Sequence, residues 1–204
     1  TERVEYEFKA MDMGNVIHQA LENFAVELRR KKLDWSSLDD KVRDEIADEC
    51  LDKVAADYGN TILQSSFRNH YMIERTRRIL RRTVWALQEQ LKNGKFKPEG
   101  FEVSIGGGRI DRLDTLKEDN RVYVKIIDYK TGNTSFDLVS IYYGLQLQLA
   151  VYLDAAVELE QKKHPGKQVE PAGVFYYHID DPMLDQEEDE TDEAWGRRML
   201  KALR

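Results

Sequence analysis

Two short segments constrain this chain more than anything else in it. The run Val124-Lys125-Ile126-Ile127-Asp128-Tyr129-Lys130 is largely apolar and β-branched, yet it closes on a carboxylate and an ammonium, with Thr131-Gly132 after it. The run Gly108-Arg109-Ile110-Asp111-Arg112 opens at the turn signal Gly106-Gly107-Gly108. Both read as buried strands. Period-two alternation puts Asp128 and Lys130 on one face of their strand and Tyr129 on the other. Charged groups at the end of an apolar strand are costly to bury unless a metal, a partner or a substrate satisfies them. If the Asp111 strand lies alongside, two carboxylates and a lysine converge on a cation site. Asp128 and Lys130 by themselves also read as a salt bridge at a strand end.

The elements around these strands follow from periodicity. Ile17, Leu21, Phe24 and Leu28 recur at helical spacing, as do Val42, Ile46, Cys50 and Val54 after a Ser36-Ser37 cap. A third helix runs from about Phe67 to Asn93, with Ile73, Leu80, Val84, Leu87 and Leu91 on one face. Pro98 and Gly100 introduce a strand through Phe101 to Ile105, and Glu118-Asp119-Asn120 reads as a turn between the two strands above. The segment from about Leu138 to Glu160 is apolar on most sides (Leu145, Leu147, Leu149, Val151, Leu153) and is expected to be a helix buried against the sheet. His164-Pro165-Gly166 ends it, and Ala172 to Tyr177 gives a last strand. The expected fold class is α/β or α+β, a mixed sheet flanked by helices. One domain is expected, with a helical part over 1–93, a sheet core with crossover helix over 94–180, and an acidic loop and truncated helix over 181–204.

The chain has 204 residues, 41% hydrophobic and 34% charged, enough to bury a sizeable core. No apolar run is long enough to span a bilayer and no leader pattern is present. It begins at Thr1 and stops at Lys201-Ala202-Leu203-Arg204 in a helical pattern, and so reads as a piece of a larger protein. The single cysteine, Cys50, excludes an internal disulfide and fits a reducing, cytoplasmic setting. A net charge of −7 argues against a nucleic-acid partner at first sight. The acidic run Asp185, Glu187, Glu188, Asp189, Glu190, Asp192 and Glu193 accounts for it, leaving the remainder nearly balanced. Arg75, Arg77, Arg78, Arg81 and Arg82 cluster on the third helix, where they serve either as a DNA path or as a solvated face. Gly106-Gly107-Gly108 is a turn and not a phosphate cradle, since no Gly-Lys-Ser/Thr follows it.

Two further motifs flank the strands: Gly14-x-x-x-His18 near the start of the first helix, and Gln148-x-x-x-Tyr152 inside the later one. The order of a histidine helix, a Gly-x-x-Asp-Arg strand, an Asp-x-Lys strand and a Gln-x-x-x-Tyr helix resembles the RecB-type nuclease domains of the PD-(D/E)xK class. The stretches "IDYKTG", "FDL" and "YYGLQLQLAVYLDA" look most like the C-terminal nuclease domains of the AddB type, from bacterial AddAB helicase–nucleases. The resemblance covers roughly His18 to His178.

It implies a DNA exonuclease that hydrolyses phosphodiesters with Mg2+ or Mn2+, acts with an AddA-type subunit in double-strand-break repair, and receives a single strand from an unwound duplex. It implies His18 and the backbone carbonyl of Tyr129 as ligands beside Asp111 and Asp128. Lys130 is implied to act on the attacking water or the pentavalent phosphorane, with a pKa lowered by the neighbouring cation. Glu102 is either a further metal ligand, as in some relatives of this fold, or an exposed strand carboxylate. Gln148 and Tyr152, one helical turn apart, are implied to approach the substrate backbone or brace the lysine. Arg75, Arg78, Arg82 and Arg112 are the candidate DNA contacts. AddB-type domains typically hold an iron–sulfur cluster on four cysteines, which this chain's one thiol cannot support. Two other readings are a stand-alone Cas4-like or phage-type exonuclease of the same fold, and a degenerate domain that only binds DNA or scaffolds a partner.

Overall fold

A computed structural model describes residues 10–57, 67–131 and 147–179. They form helices α1 (Ala10–Lys31), α2 (Asp40–Asp57), α3 (Phe67–Asn93) and α4 (Leu147–Lys163), and strands β1 (Lys97–Ile105), β2 (Gly108–Lys117), β3 (Arg121–Thr131) and β4 (Gln168–Ile179). The chain divides into two compact units, Thr1–Gln88 with Asp180–Arg204, and Glu89–Ile179.

In the first unit α1 buries Val16, Ile17, Ala20, Leu21, Phe24 and Leu28, one stripe at spacings of three and four. It ends in a Schellman arrangement: Leu33 N–H donates to the Leu28 carbonyl at 2.9 Å and Lys32 N–H to that of Arg29 at 3.1 Å. Lys32 occupies the left-handed position there, with φ 54°. The expected Ser36-Ser37 cap of α2 is corrected. Those residues lie in a 3-10 turn, Trp35–Ser37, and α2 begins at Asp40. Asp39 caps it, its carboxylate accepting from Lys41 N–H at 2.9 Å, because a single-turn 3-10 segment uses up the two serines first. Val42 is 39% exposed, so the buried stripe of α2 is Arg43, Ile46, Ala47, Cys50, Leu51 and Val54. Arg43 donates to the buried Gln88 side chain of α3 at 2.8 Å, and Gln88 donates to the Leu38 carbonyl at 2.7 Å. These bonds satisfy a guanidinium and an amide that would otherwise be stranded in the core.

In the second unit the sheet order is β1-β2-β3-β4, the first two pairings antiparallel and the last parallel. Tight turns at Gly106-Gly107 (Gly107 φ 95°) and at Glu118, whose N–H donates to the Arg121 carbonyl, make the hairpins. The parallel partner β4 requires a crossover, and α4 lies within it. β4 is longer than the expected Ala172–Tyr177 because it pairs with β3 along its whole length, from Arg121↔Gln168 to Thr131↔Ile179. α4 covers Ile110, Leu113, Val122, Val124, Ile126 and Val169 with Ala156, Tyr152, Leu153 and Val157. Burial of α4 on most sides does not hold: Val151 is 61% exposed and Leu149 half-buried, so one face alone packs. The first part of that predicted helix lies outside the described residues.

Candidate nuclease active site

The sheet carries both sequence-predicted carboxylate strands side by side, β2 and β3, in a register that pairs Arg112 with Ile127. Asp111 stands one residue beyond that pair. One of its carboxylate oxygens accepts the Tyr129 backbone N–H at 2.7 Å. Asp128 and Lys130 share a face, as alternation requires, and their carboxylate and ammonium meet at 2.5 Å. The Lys130 ammonium also lies 5.5 Å from the centre of the Tyr176 ring on β4. Partial burial pulls the Lys130 pKa down, but the hydrogen bond and charge of Asp128, then Asp111 and Tyr176, outweigh it and raise the value. The lowered pKa expected from the sequence presupposed an adjacent cation. Beside two carboxylates the shift has the opposite sign.

Glu102 is the residue whose conformation marks the site. Its backbone φ is 47°, a left-handed conformation that costs a non-glycine residue roughly 1–2 kcal/mol. The pairs Phe101↔Arg112 and Val103↔Ile110 flank it, which sets Glu102 opposite Asp111. Carboxylate oxygens of Glu102 and Asp111 come within 4.8 Å of each other. Ile110 and Leu113 both belong to the cluster under α4 although an odd separation puts them on opposite faces of a regular strand. The sheet surface therefore turns over at Asp111, across from the strained Glu102. The Glu102 side chain is 10% exposed and pairs with the exposed Arg109 at 3.2 Å, so it is not the freely solvated strand carboxylate of the alternative reading. Two hard-oxygen donors this close suit a divalent cation such as magnesium or manganese.

On α4, Gln148 donates to the Tyr152 hydroxyl, one turn away on the same face. That hydroxyl lies against Gly108 so closely that a Cβ there would overlap it. The glycine opening the Gly-x-x-Asp strand thus seats the tyrosine of the Gln-x-x-x-Tyr helix. In the helical unit, His18 is half-buried on α1 beside the buried Gly14 and Ile17.

The arginine expectations need correction. Arg112, read as a DNA contact, is 0% exposed, and both its Nε and an Nη donate to the equally buried Asp114 carboxylate at 2.6 and 2.7 Å. Arg75 is 5% exposed. Neither guanidinium can face a phosphate from such positions. Arg77 and Arg81 bind Asp52 at 2.7 Å and Asp48 at 2.9 Å on α2. Arg78 and Arg82 are exposed. Cys50 is fully buried, and burial pushes its thiol up to about 11.

Sequence reasoning missed the polar cluster behind the site. Lys125 approaches Asp114 at 3.4 Å and lies 4.6 Å from the centre of the Phe96 ring. Tyr129, 3% exposed, lies on the face of β3 that neighbours Arg112, and its phenol bears on the charge of that guanidinium. Burial raises the Tyr129 pKa to about 12 despite the opposing pull of that guanidinium. The signal was present as Arg112-x-Asp114, two charges at strand spacing inside an apolar stretch.

The model of the PD-(D/E)XK nuclease superfamily matches residues 1–204. The chain belongs to that superfamily. It is 44% identical over 191 residues to a protein of Lachnoclostridium phytofermentans named as a subunit of an ATP-dependent helicase/deoxyribonuclease, covering 90% of this chain and 17% of the relative. Identically named proteins of Alkaliphilus metalliredigens and Clostridium kluyveri are 37% and 33% identical, covering 95% and 100% of this chain and 18% and 19% of theirs. The chain therefore spans less than a fifth of the length of these relatives, and it is the PD-(D/E)XK nuclease domain that corresponds. Among the described residues no helix is long and apolar enough to cross a membrane.

Proposed function

We propose that this domain is a magnesium- or manganese-dependent deoxyribonuclease that works as an exonuclease within a helicase–nuclease. Its partner would be an AddA-type subunit, its substrate a DNA strand delivered from an unwound duplex in double-strand-break repair, its setting the cytoplasm. The observation that carries the reading is the placement of Asp111 and Asp128-x-Lys130 on neighbouring strands, with the strained Glu102 opposite Asp111, in a chain of the PD-(D/E)XK superfamily. The relatives' shared name favours a helicase-linked enzyme over a stand-alone exonuclease of the same fold.

Asp111, Asp128, Glu102 and the Tyr129 carbonyl are the proposed oxygen donors, with His18 of the Gly14-x-x-x-His18 motif as the imidazole. A divalent cation held there supplies positive charge for the scissile phosphate and favours ionisation of water. Asp128 holds the Lys130 ammonium at 2.5 Å. From that position Lys130 orients the attacking water and neutralises charge growing on the phosphoryl oxygens. Were Asp128 also to hold a cation, its charge would compensate the lysine less and the Lys130 pKa would fall from its raised value. Gln148 and Tyr152, joined by their hydrogen bond, would contact the substrate backbone at the rim of β2 or brace the lysine.

The test is release of nucleotides from an end-labelled single strand in magnesium, in manganese and with a chelator. Cleavage should require the ion. Lys130→Ala should lower it by on the order of 100-fold or more at an unchanged unfolding temperature. Chelator-resistant cleavage, or near-parental activity in that variant, would sink the assignment.

A further inference from the structure

Arg112 follows Asp111 immediately in sequence, yet it points into the protein, on the face of β2 away from Leu113 and α4, and is fully buried. Its charge is balanced there by the two-pronged bond to Asp114, itself 0% exposed. Such a fork fixes the guanidinium plane, which an ammonium in the same place could not do. The Phe101 ring, 5.9 Å from the guanidinium carbon, closes another side. The Tyr129 phenol, buried on the same face, is near enough to stabilise the guanidinium's charge without a hydrogen bond of normal geometry. Register explains the encounter: Arg112 pairs with Ile127, and Tyr129 is the next residue of β3 on that face. The backbone N–H of Tyr129 meanwhile donates to the Asp111 carboxylate at 2.7 Å.

Hydrogen bonding and register together close a ring. It runs from Asp111 through the peptide to Arg112, across to the Tyr129 phenol, through that residue to its N–H, and back to the Asp111 carboxylate. Tyr129 lies between Asp128 and Lys130, so whatever holds it also sets the residues on either side. We propose that Arg112 is a positioning residue, which, by clamping Tyr129 from behind the sheet, fixes the Asp111 carboxylate and the Asp128–Lys130 strand in register for the reaction. The proposal rests on the nuclease reading for its consequence, though not for its geometry.

Arg112→Lys keeps the charge and loses the fork; Tyr129→Phe keeps the ring and loses the hydroxyl. Both are made in the whole chain, with three readouts. In both variants the Tyr129 amide proton should exchange with solvent at least roughly tenfold faster than in the parent, measured by NMR relative to the Ile126 amide on the same strand. Manganese binding, followed by electron paramagnetic resonance, should weaken by roughly 10- to 100-fold. Cleavage should lose kcat on a similar scale while KM for DNA stays put. A merely structural contribution would lower the unfolding temperature and leave the Tyr129-to-Ile126 exchange ratio and manganese affinity at parental values, and that result overturns the proposal. If Arg112→Lys fails to fold, Tyr129→Phe decides alone. If the parent neither binds manganese nor cleaves DNA, the nuclease reading falls, while the exchange ratio still decides whether the clamp exists.

Discussion

Cys50 illustrates what burial does to a single reactive group. It occupies the fully buried stripe of α2, and desolvation holds its thiol at a pKa of about 11. A thiol that stays protonated and out of reach is a poor nucleophile. Labelling by a disulfide reagent at pH 8 should follow unfolding of the chain, and a reaction complete within the dead time under native conditions would contradict the burial. The same shift predicts a pH dependence. The folded pKa lies above the unfolded one, so the contribution to stability is fully present below about pH 8.5, where both states keep the proton. It is lost as pH rises through 11, by ~1.4 kcal/mol per unit of difference. Denaturant midpoints of the parent and Cys50→Ala should accordingly converge or cross between pH 8 and 11. Parallel midpoint curves would show that the thiol's ionisation is not coupled to folding.

Element ends and the packing between elements carry the next set of consequences. The C-terminal cap of α1 places Lys32 at φ 54°, where glycine is at ease and a lysine is strained. Lys32→Gly should raise stability by about 1 kcal/mol, read as an increase in denaturant midpoint at constant slope; a decrease would show that the lysine side chain contributes more than its backbone costs. Between α4 and β2 the controlling residue is Gly108. A Cβ there would overlap the Tyr152 hydroxyl and the ring carbon that bears it, at the far end of a half-buried side chain. Gly108→Ala should therefore leave the fold near parental stability and break the Gln148–Tyr152 hydrogen bond. Its loss of cleavage should not add to that of Tyr152→Ala, since one displacement underlies both. Fully additive losses would mean that Gly108 and Tyr152 act separately.

At the scale of the whole molecule, charge distribution decides where a nucleic acid can lie. The chain carries −7, and its Asp185–Glu193 run lies outside the described residues. Of the five clustered arginines on α3, Arg75 is buried, and Arg77 and Arg81 are tied to α2 carboxylates. Arg78 and Arg82 keep exposed positions one turn apart. Reversing both, Arg78→Glu with Arg82→Glu, should weaken binding to all single strands alike and reduce the salt slope by roughly one for each phosphate that is no longer neutralised. Anisotropy titrations at several salt concentrations measure both quantities. Unchanged affinity would leave those arginines as a solvated helix face.

Patterns that depend on neighbours along the chain were legible without coordinates. Helical stripes, the extent of α3, the glycine hairpin, the Glu118–Asn120 turn and the alternation that sets Asp128 and Lys130 against Tyr129 all follow from local periods and turn chemistry. What depended on chain segments far apart in sequence was not legible. Whether Arg112 met DNA or protein turned on Asp114 and Tyr129 filling the space behind β2, and whether Arg75 was exposed turned on packing around α3. That Glu102 stands at a positive φ opposite Asp111 is not visible in its residue type either. Burial, backbone strain and the sign of the Lys130 shift are sums over all neighbours in space, and the tertiary structure alone supplies those neighbours.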